Sequence, residues 1–395
     1  MGIRNNNGTK SRVMKTEKNY FKYDHRSVLR SIEYAQQIAF APFVFQAART
    51  LRNTGLLAMV EQCGDDGTSI KKAAEYTGVP VYGVRILFEA GIAIGLLTLN
   101  NELFRITKTG AYILHDKMTI VNMDFVHDVC YRGMFELDKS IATGNPEGLK
   151  TLGKWNTVYE GLSQLPPQVQ KSWFAFDHYY SDTSFDAALP HVFKNKPKRI
   201  LDIGGNTGKW AISCLNYSKT VEIGIVDLPG QLKMAKENLK IKNLLHRVKF
   251  YELDLLDKNA KLPQGYDAIW MSQFLDCFSE QQIVDILKKC HRAIDSKGQV
   301  YIMEPLWDRQ NFEVSSFCLL MTSLYFTNIA NGNSKMYGSK QFAALVEKAG
   351  FSVTEQVDDI GICHSLIKAM KPVKLEPQKV NNKKPAKKMP TEYIF

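Results

Sequence analysis

Ile200-Leu201-Asp202-Ile203-Gly204-Gly205-Asn206-Thr207-Gly208 places four apolar or acidic residues directly before a glycine-rich turn. Arg199–Ile203 is a short apolar run of the kind buried on both faces of a parallel sheet, and Gly204–Gly208 turns it directly into the apolar helical segment Trp210–Leu215. Glycines at such a point let the chain turn sharply and let a ligand approach the backbone. A strand, glycine-rich turn and helix form the first unit of a doubly wound sheet, which binds ligands at the carboxyl ends of its strands. The pattern repeats outward: Val221–Val226 precedes the helical Leu232–Leu239, and Val248–Glu252, Ala268–Met271, Ile283–Ala293 and Val300–Met303 continue the series. Gln341–Ala349 reads as a last helix, and Phe351–Glu355 with Cys363–Lys368 as two strands spaced like a closing hairpin. The expected class is α/β, a Rossmann-like sheet with helices on both faces.

Upstream the pattern is helical. Ser27 to Leu57 carries Ile32, Ala35, Ile38, Phe43, Phe45, Ala48 and Leu51 at helical spacing, a composition suited to packing against a second subunit. Thr68-Ser69 precede a short helix, Ile70–Tyr76, that Gly78 closes, and Pro80 opens another through about Leu97. Leu97–Ile106 reads as a β-hairpin with an Asn-Asn turn, so helix, turn, helix and hairpin together form a winged helix. Such a module can bind DNA, but Arg85 is the only cation of its second helix, where a recognition helix needs several polar side chains on one face. The expectation is packing and homodimerisation, with no specific nucleic-acid partner. Residues 110–190 are helical and dense in aromatics, suited to core or to the wall of a pocket.

Charge, cysteines and hydropathy bound the remaining classes. The formal charge of +11 arises at the two ends: residues 1–30 carry +6 and 371–395 carry +5, so the body between them is close to neutral. Both ends lack hydrophobic periodicity and read as solvated tails. Seven cysteines without CxxC or regular spacing fit a reduced, cytoplasmic protein with no metal cluster, and no apolar run is long enough to span a membrane.

Acidic residues beside the turn indicate its ligand. Val221–Val226 ends in Asp227, 23 residues after Gly204, where a carboxylate can accept both ribose hydroxyls; the next strand leads to Asp254, placed to take an adenine amino group while a leucine packs on the ring. The turn is G-G-N-T-G rather than G-x-G-x-x-G, and Asp202 precedes its first glycine. An acid there suits the ammonium of a methionyl group and would repel a dinucleotide pyrophosphate. S-adenosylmethionine, leaving S-adenosylhomocysteine as product, is therefore expected over NAD.

With these motifs in view, the chain resembles the small-molecule O-methyltransferase family of plant caffeate and flavonoid enzymes and bacterial polyketide and hydroxyindole enzymes. The resemblance runs from about Ala35 to Lys371, on Leu201–Gly208, Val226-Asp227-Leu228-Pro229, Leu253-Asp254-Leu255-Leu256, Tyr266–Trp270 and Gly298–Glu304. It implies a methyltransferase acting on a small, aromatic or polyketide-like acceptor, dimeric through an N-terminal winged helix. Cofactor contacts are implied at Asp202, Gly204, Gly205, Gly208, Asp227, Leu228, Asp254 and Leu255, with Ser272 at the family's lysine position. The domain plan is a basic tail 1–26, a winged-helix dimerisation domain 27–110, a helical pocket segment 111–190, the catalytic domain 191–370 and a Lys-rich tail 371–395.

The chemistry departs from the family pattern. Its His-Asp-Trp-Ser-Asp run is replaced by Leu275-Asp276-Cys277-Phe278-Ser279-Glu280, so Asp276 stands where the general-base histidine belongs. Glu304 matches one base-orienting carboxylate, and Met336 falls near the other. A carboxylate of pKa about 4 is a poor base for a phenol of pKa about 10, unless burial raises it. Three readings stay open: Asp276 is a tuned base, Asp276 only orients an acidic or carbon-nucleophilic acceptor, or the protein binds the cofactor without methylating, as a winged-helix regulator would. His178 is a further catalytic candidate, with His127 also titratable, and Cys277 reads as packing. Tyr180 replaces a methionine that clamps aromatic acceptors in the family, and Phe317, Met321 and Tyr325, spaced i, i+4, i+8, complete the expected acceptor pocket.

Overall fold

A computed structural model describes residues 20–372, so the expected tails lie almost wholly outside the described residues. Helices α1 (Val28–Ala39), α2 (Ala41–Asn53) and α3 (Leu56–Gln62) come first. Ser27 caps α1 by accepting the Arg30 N–H, and Pro42 sits in the first turn of α2, where its missing N–H costs nothing. None of α1 is buried, and Val28, Ile32, Ile38 and Phe43 are 57–81% exposed, an apolar face over which none of the described residues is laid.

The winged helix has the expected elements with shifted edges. In α4 (Ile70–Thr77) the Ser69 hydroxyl accepts the Lys72 N–H, and Gly78 closes the helix at φ +73°. Helix α5 (Val81–Ala93) stops short of the expected Leu97, because Gly95 turns the chain at φ +75° and Leu97 already belongs to a strand. Strands β1 (Leu97–Asn100) and β2 (Leu103–Ile106) pair antiparallel with Asn100 opposite Leu103. The turn is therefore Asn101-Glu102, both left-handed at φ 49° and 60°, and not Asn-Asn. Leu51, Leu57, Val84, Phe88 and Phe104 form the core beneath.

Helices α6 (Lys108–His115), α7 (Lys117–Phe125), α8 (Leu137–Thr143), α9 (Val158–Gly161) and α10 (Pro167–Phe193) follow. Helix α10, 27 residues long, joins two parts of the protein. Its Trp173 packs in a helical cluster with Phe125 and Tyr325, while Phe185, Leu189 and Val192 pack on the sheet.

The sheet alternates with its helices: β3 (Arg199–Ile203), α11 (Lys209–Tyr217), β4 (Glu222–Asp227), α12 (Pro229–Ile241), β5 (Val248–Glu252), β6 (Ala268–Ser272), α13 (Glu280–Ala293), β7 (Gln299–Glu304), α14 (Glu313–Tyr325), α15 (Ser339–Lys348), β8 (Ser352–Ile360) and β9 (His364–Met370). The strand order is β5-β4-β3-β6-β7-β9-β8; the first five run parallel, and β9 pairs antiparallel with β7 and β8, the expected closing hairpin. Strand β8 runs on to Ile360, beyond the expected Glu355, through bulges that keep it paired with β9. Buried clusters cover both faces of the sheet, and on one of them Trp210 and Trp270 stack with ring centroids 3.8 Å apart.

Buried Asn328, just beyond α14, ties this region to the helical segment. Its Oδ1 accepts from the Ser140 hydroxyl (2.7 Å) and the Gly148 N–H (3.3 Å), and its Nδ2 donates to the Gly133 carbonyl (2.7 Å). Removing the amide strands three buried polar groups, each costing about 1–3 kcal/mol. Asn328→Ala is expected to lower unfolding stability by about 2–4 kcal/mol in urea titrations; a loss under about 0.5 kcal/mol would show that this tie is dispensable.

Candidate active site

The carboxyl ends of β3, β4 and β6 open into a cavity of about 480 Å³ walled on the other side by the helical segment and the end of α14. Gly204 adopts φ +72°, and a Cβ there would lie 2.3 Å from the Phe274 ring, so only glycine admits the ring. Asp227 ends β4 with Oδ2 accepting the Asn206 N–H (2.8 Å) and Oδ1 the Leu228 N–H (2.7 Å). Burial outweighs these bonds and pushes its pKa up to about 6. Asp254 accepts the Leu256 N–H at 2.8 Å, and both residues line the cavity with Leu228 and Leu255.

A smaller cavity of about 60 Å³ lies against the same turn. Asp202, Gly205, Thr207 and Ser272 line it, with Gln273 and Asn206 shared between the two cavities. Asp202 Oδ2, Asn206 Oδ1, Thr207 Oγ1, Ser272 Oγ and Gln273 Oε1 are all buried there without a hydrogen-bond partner. Burial, with Asp227 nearby, drives the Asp202 carboxyl far above its usual range. Five unmet polar atoms around one turn are a site prepared for a polar ligand.

At the other end of the larger cavity Asp276 emerges from a short turn, 4% exposed, its Oδ1 3.4 Å from the Cys277 thiol. Burial, with the Asp177 charge nearby, raises its pKa to about 7. Glu304, at the end of β7, accepts the N–H groups of Phe274 (3.1 Å) and Leu275 (2.8 Å) with Oε1, leaving Oε2 unbonded. Burial, and then the charge of Asp276, pushes its carboxyl well up. Glu304 thus holds the turn that presents Asp276 rather than lining the cavity itself. Phe125 stacks on Phe176 at 4.0 Å and meets Tyr325 edge-on at 5.0 Å, and the Tyr325 hydroxyl accepts from Trp173 Nε1 at 2.7 Å.

The structure brings Gly204, Asp227, Leu228, Asp254, Leu255, Asp276 and Tyr325 to one cavity, and places other expected residues elsewhere. His178 lines the smaller cavity, stacked on Phe174 with Nδ1 3.6 Å from Asp182, because one step along α10 from Asp177 turns a side chain away from the larger one. Tyr180 donates to Asn122 Oδ1 at 2.9 Å, outside the cavity lining. Phe317 and Met321 are 45% and 46% exposed; the residues turned inward are Thr322 and Tyr325 of α14 and Phe326 just beyond it, because the helix lies on the rest of the fold with that face toward the cavity. Gly208 serves α11 as its N-cap at φ +79°. Tyr159 takes its place in the cavity wall as one of the aromatics of the 110–190 segment, whereas Asp177 and Asn331, whose Nδ2 donates to the Cys277 carbonyl at 2.5 Å, were not singled out from the sequence. The signal for Asp177 was its place in the segment around His178 and Tyr180.

The doubly wound sheet, the glycine turn and the acids at the strand ends define a nucleotide-type cofactor domain coupled to an aromatic pocket. Residues 183–352 match the O-methyltransferase domain family and residues 33–104 a Dimerisation2-like domain. The chain is a methyltransferase, and its cofactor is S-adenosylmethionine. It is 20% identical to the L-tyrosine C(3)-methyltransferase of Streptomyces lavendulae, over 68% of this chain and 73% of that one. O-methyltransferase 4 of Dictyostelium discoideum is 24% identical, over 74% and 82%. Among solved structures, the apo S-adenosylmethionine-dependent methyltransferase SibL superposes with a TM-score of 0.67 at 20% identity, covering 86% of this chain and 99% of that one.

The raised Asp276 carboxyl carries a stability consequence. Its folded pKa of about 7 exceeds the roughly 4 of an unfolded aspartate, so the folded state binds its proton more tightly. That contribution is fully present below about pH 4 and is lost as pH rises to about 7. Cofactor-free Asp276→Asn is expected to match wild type near pH 4 and to exceed it at pH 8 by on the order of 2–4 kcal/mol in denaturant titrations. A gain independent of pH would contradict the assignment.

Proposed function

We propose that this methyltransferase acts on a small aromatic acceptor with an oxygen nucleophile, and that Asp276 takes the place of a histidine toward it. The carrying observation is that the Asp276 carboxyl opens into the cavity that also holds Gly204, Asp227 and Asp254. The residues present suit the cofactor. Gly204 and Gly205 line the cavities with backbone alone, and Asp227, already fixed by two N–H groups, keeps lone pairs free for a ribose diol. Asp254 with Leu228 and Leu255 would hold the adenine, and Asp202 and Ser272, with their unmet oxygens, the methionyl end. Bound S-adenosylmethionine supplies an electrophilic methyl carried on sulfur.

The chain's own residues supply position and a proton acceptor. Phe125, Phe176 and Tyr325 suit the faces and edge of an aromatic ring. The acceptor's hydroxyl oxygen would form its bond to the methyl carbon with its own electron pair as the carbon–sulfur bond breaks to leave neutral S-adenosylhomocysteine, and the hydroxyl proton passes to Asp276, whose pKa of about 7 suits a base working near neutral pH. Glu304 positions Asp276 through the Phe274 and Leu275 amides. His178, paired with Asp182, falls to a supporting place beside the cofactor turn.

The domain plan 27–110, 111–190 and 191–370 accompanies this reading, as does a homodimer made by the N-terminal helices, supported by the exposed apolar face of α1. A nucleic-acid role is disfavoured because α5 exposes Val81, Tyr82 and Ile86. Among the described residues no helix is long and apolar enough to cross a membrane, and all seven cysteines are free, which favours the cytoplasm.

Two measurements test the reading. Calorimetry should show S-adenosylhomocysteine binding that Asp227→Ala weakens by about tenfold to a hundredfold, the loss expected for one or two charge-assisted hydrogen bonds. Once an acceptor is in hand, Asp276→Asn should lower turnover by about 10²–10⁴-fold, the usual range for a lost general base. Undiminished turnover would leave Asp276 only an orienting role.

A further inference from the structure

The larger cavity has an unbalanced charge. Glu160, Asp177, Asp227, Asp254 and Asp276 line it, and among the described residues around it there is no Lys, Arg or His. Asp227 and Asp254 sit at the strand ends on the cofactor side. Asp177 and Asp276 lie toward the aromatic wall and act on one another through space. The Asp177 Oδ2 accepts from the Asn206 Nδ2 at 3.1 Å and lies 3.8 Å from Nδ1 of His178, which lines the smaller cavity, and its Oδ1 has no hydrogen-bond partner among the described residues. Phe176, beside it on α10, stacks on Phe125, which meets the edge of Tyr325. The Tyr159 hydroxyl lines the same space, buried without a hydrogen-bond partner.

Aromatic faces grouped with carboxylates, and with no cation among them, attract positive charge and repel anions. Ring quadrupoles favour an organic cation, and a carboxylate adds a charge-assisted hydrogen bond. A carboxylated acceptor would bring a third negative group beside Asp177 and Asp276, with no cation lining the cavity to meet it. Resting on the acceptor-site reading above, we propose that the acceptor is an aromatic compound carrying a basic nitrogen, taken up as its cation. Its ammonium pairs with Asp177 while its nucleophilic hydroxyl faces Asp276. The positive group is distinct from the nucleophile, which must keep a free electron pair.

The test uses three phenols that differ only in the end group: tyramine (ammonium), tyrosol (neutral hydroxyl) and 3-(4-hydroxyphenyl)propionate (carboxylate). Each is titrated calorimetrically into full-length protein saturated with S-adenosylhomocysteine. Tyramine should bind about tenfold or more tightly than tyrosol, and the propionate more weakly than either. Asp177→Asn keeps the side chain's shape and its bond to Asn206, so it should remove the preference for tyramine while changing S-adenosylhomocysteine affinity by less than about threefold. Equal binding of tyramine and tyrosol, tighter binding of the propionate, or no binding of tyramine overturns the proposal. So does a collapse of S-adenosylhomocysteine affinity in Asp177→Asn, which would assign that carboxylate to the cofactor. Failure of wild type to bind S-adenosylhomocysteine at all would sink the underlying cofactor-site reading instead, and the two failures are thereby distinct.

Discussion

The ring of Phe274 rests on the bare backbone of Gly204, in space that any Cβ would fill, and much of the site depends on that contact. Phe274 lies just beyond β6, and Gly204 just beyond β3, so the contact sets how the loops after two neighbouring strands sit against each other. Glu304 at the end of β7 then takes the amides of Phe274 and Leu275, fixing the same loop from its other side. Between these two restraints the chain delivers Asp276 into the cavity that the glycine turn opens onto. In the proposed reading, a cofactor lying along the turn and an acceptor meeting Asp276 would be brought together by the ends of β3, β6 and β7.

Burial of carboxyl groups is the second theme of the site. Asp202, Asp227, Asp276 and Glu304 all sit where desolvation raises their pKa, and none of them has a cation bonded to it. Asp227 is offset by two backbone N–H groups, Glu304 by two on one oxygen, and Asp202 Oδ2 by none. Uncompensated buried acids are costly, and a cluster of them around a cavity is the signature of a binding or catalytic site rather than of a core. A cationic cofactor suits such a cluster in a way that a phosphate-bearing one would not.

Much of this was legible in the sequence wherever the determinant is local. Ser69, Gly78 and Pro80 marked helix ends because caps are satisfied by residues a turn away. The winged helix, the parallel series and the closing hairpin followed from periodicity, with errors at the edges where one residue's conformation decided. Asn101-Glu102 forms the hairpin turn because Asn100 is still paired with Leu103, and pairing is not a property of Asn100 alone. The acids after β4 and β5 were readable because a strand end is a position in sequence. His178, Tyr180, Phe317 and Met321 were not, because which face of α10 or α14 meets the cavity depends on how those helices lie on the rest of the fold.

By itself the sequence determined the α/β class, the glycine turn and the acids that follow it, since each comes from backbone preferences and spacings within one strand–turn–helix unit. Tertiary structure alone decided which side chains share a cavity. Trp173, Asp227, Asp276 and Tyr325 come from distant parts of the chain and meet there only once the strands have paired and the helices have packed over their carboxyl ends. The absence of any cation among the described residues lining that space, set against the net positive charge of the whole chain, is likewise a fact of packing. Composition records how many charges a protein carries, and the fold determines which of them face one another.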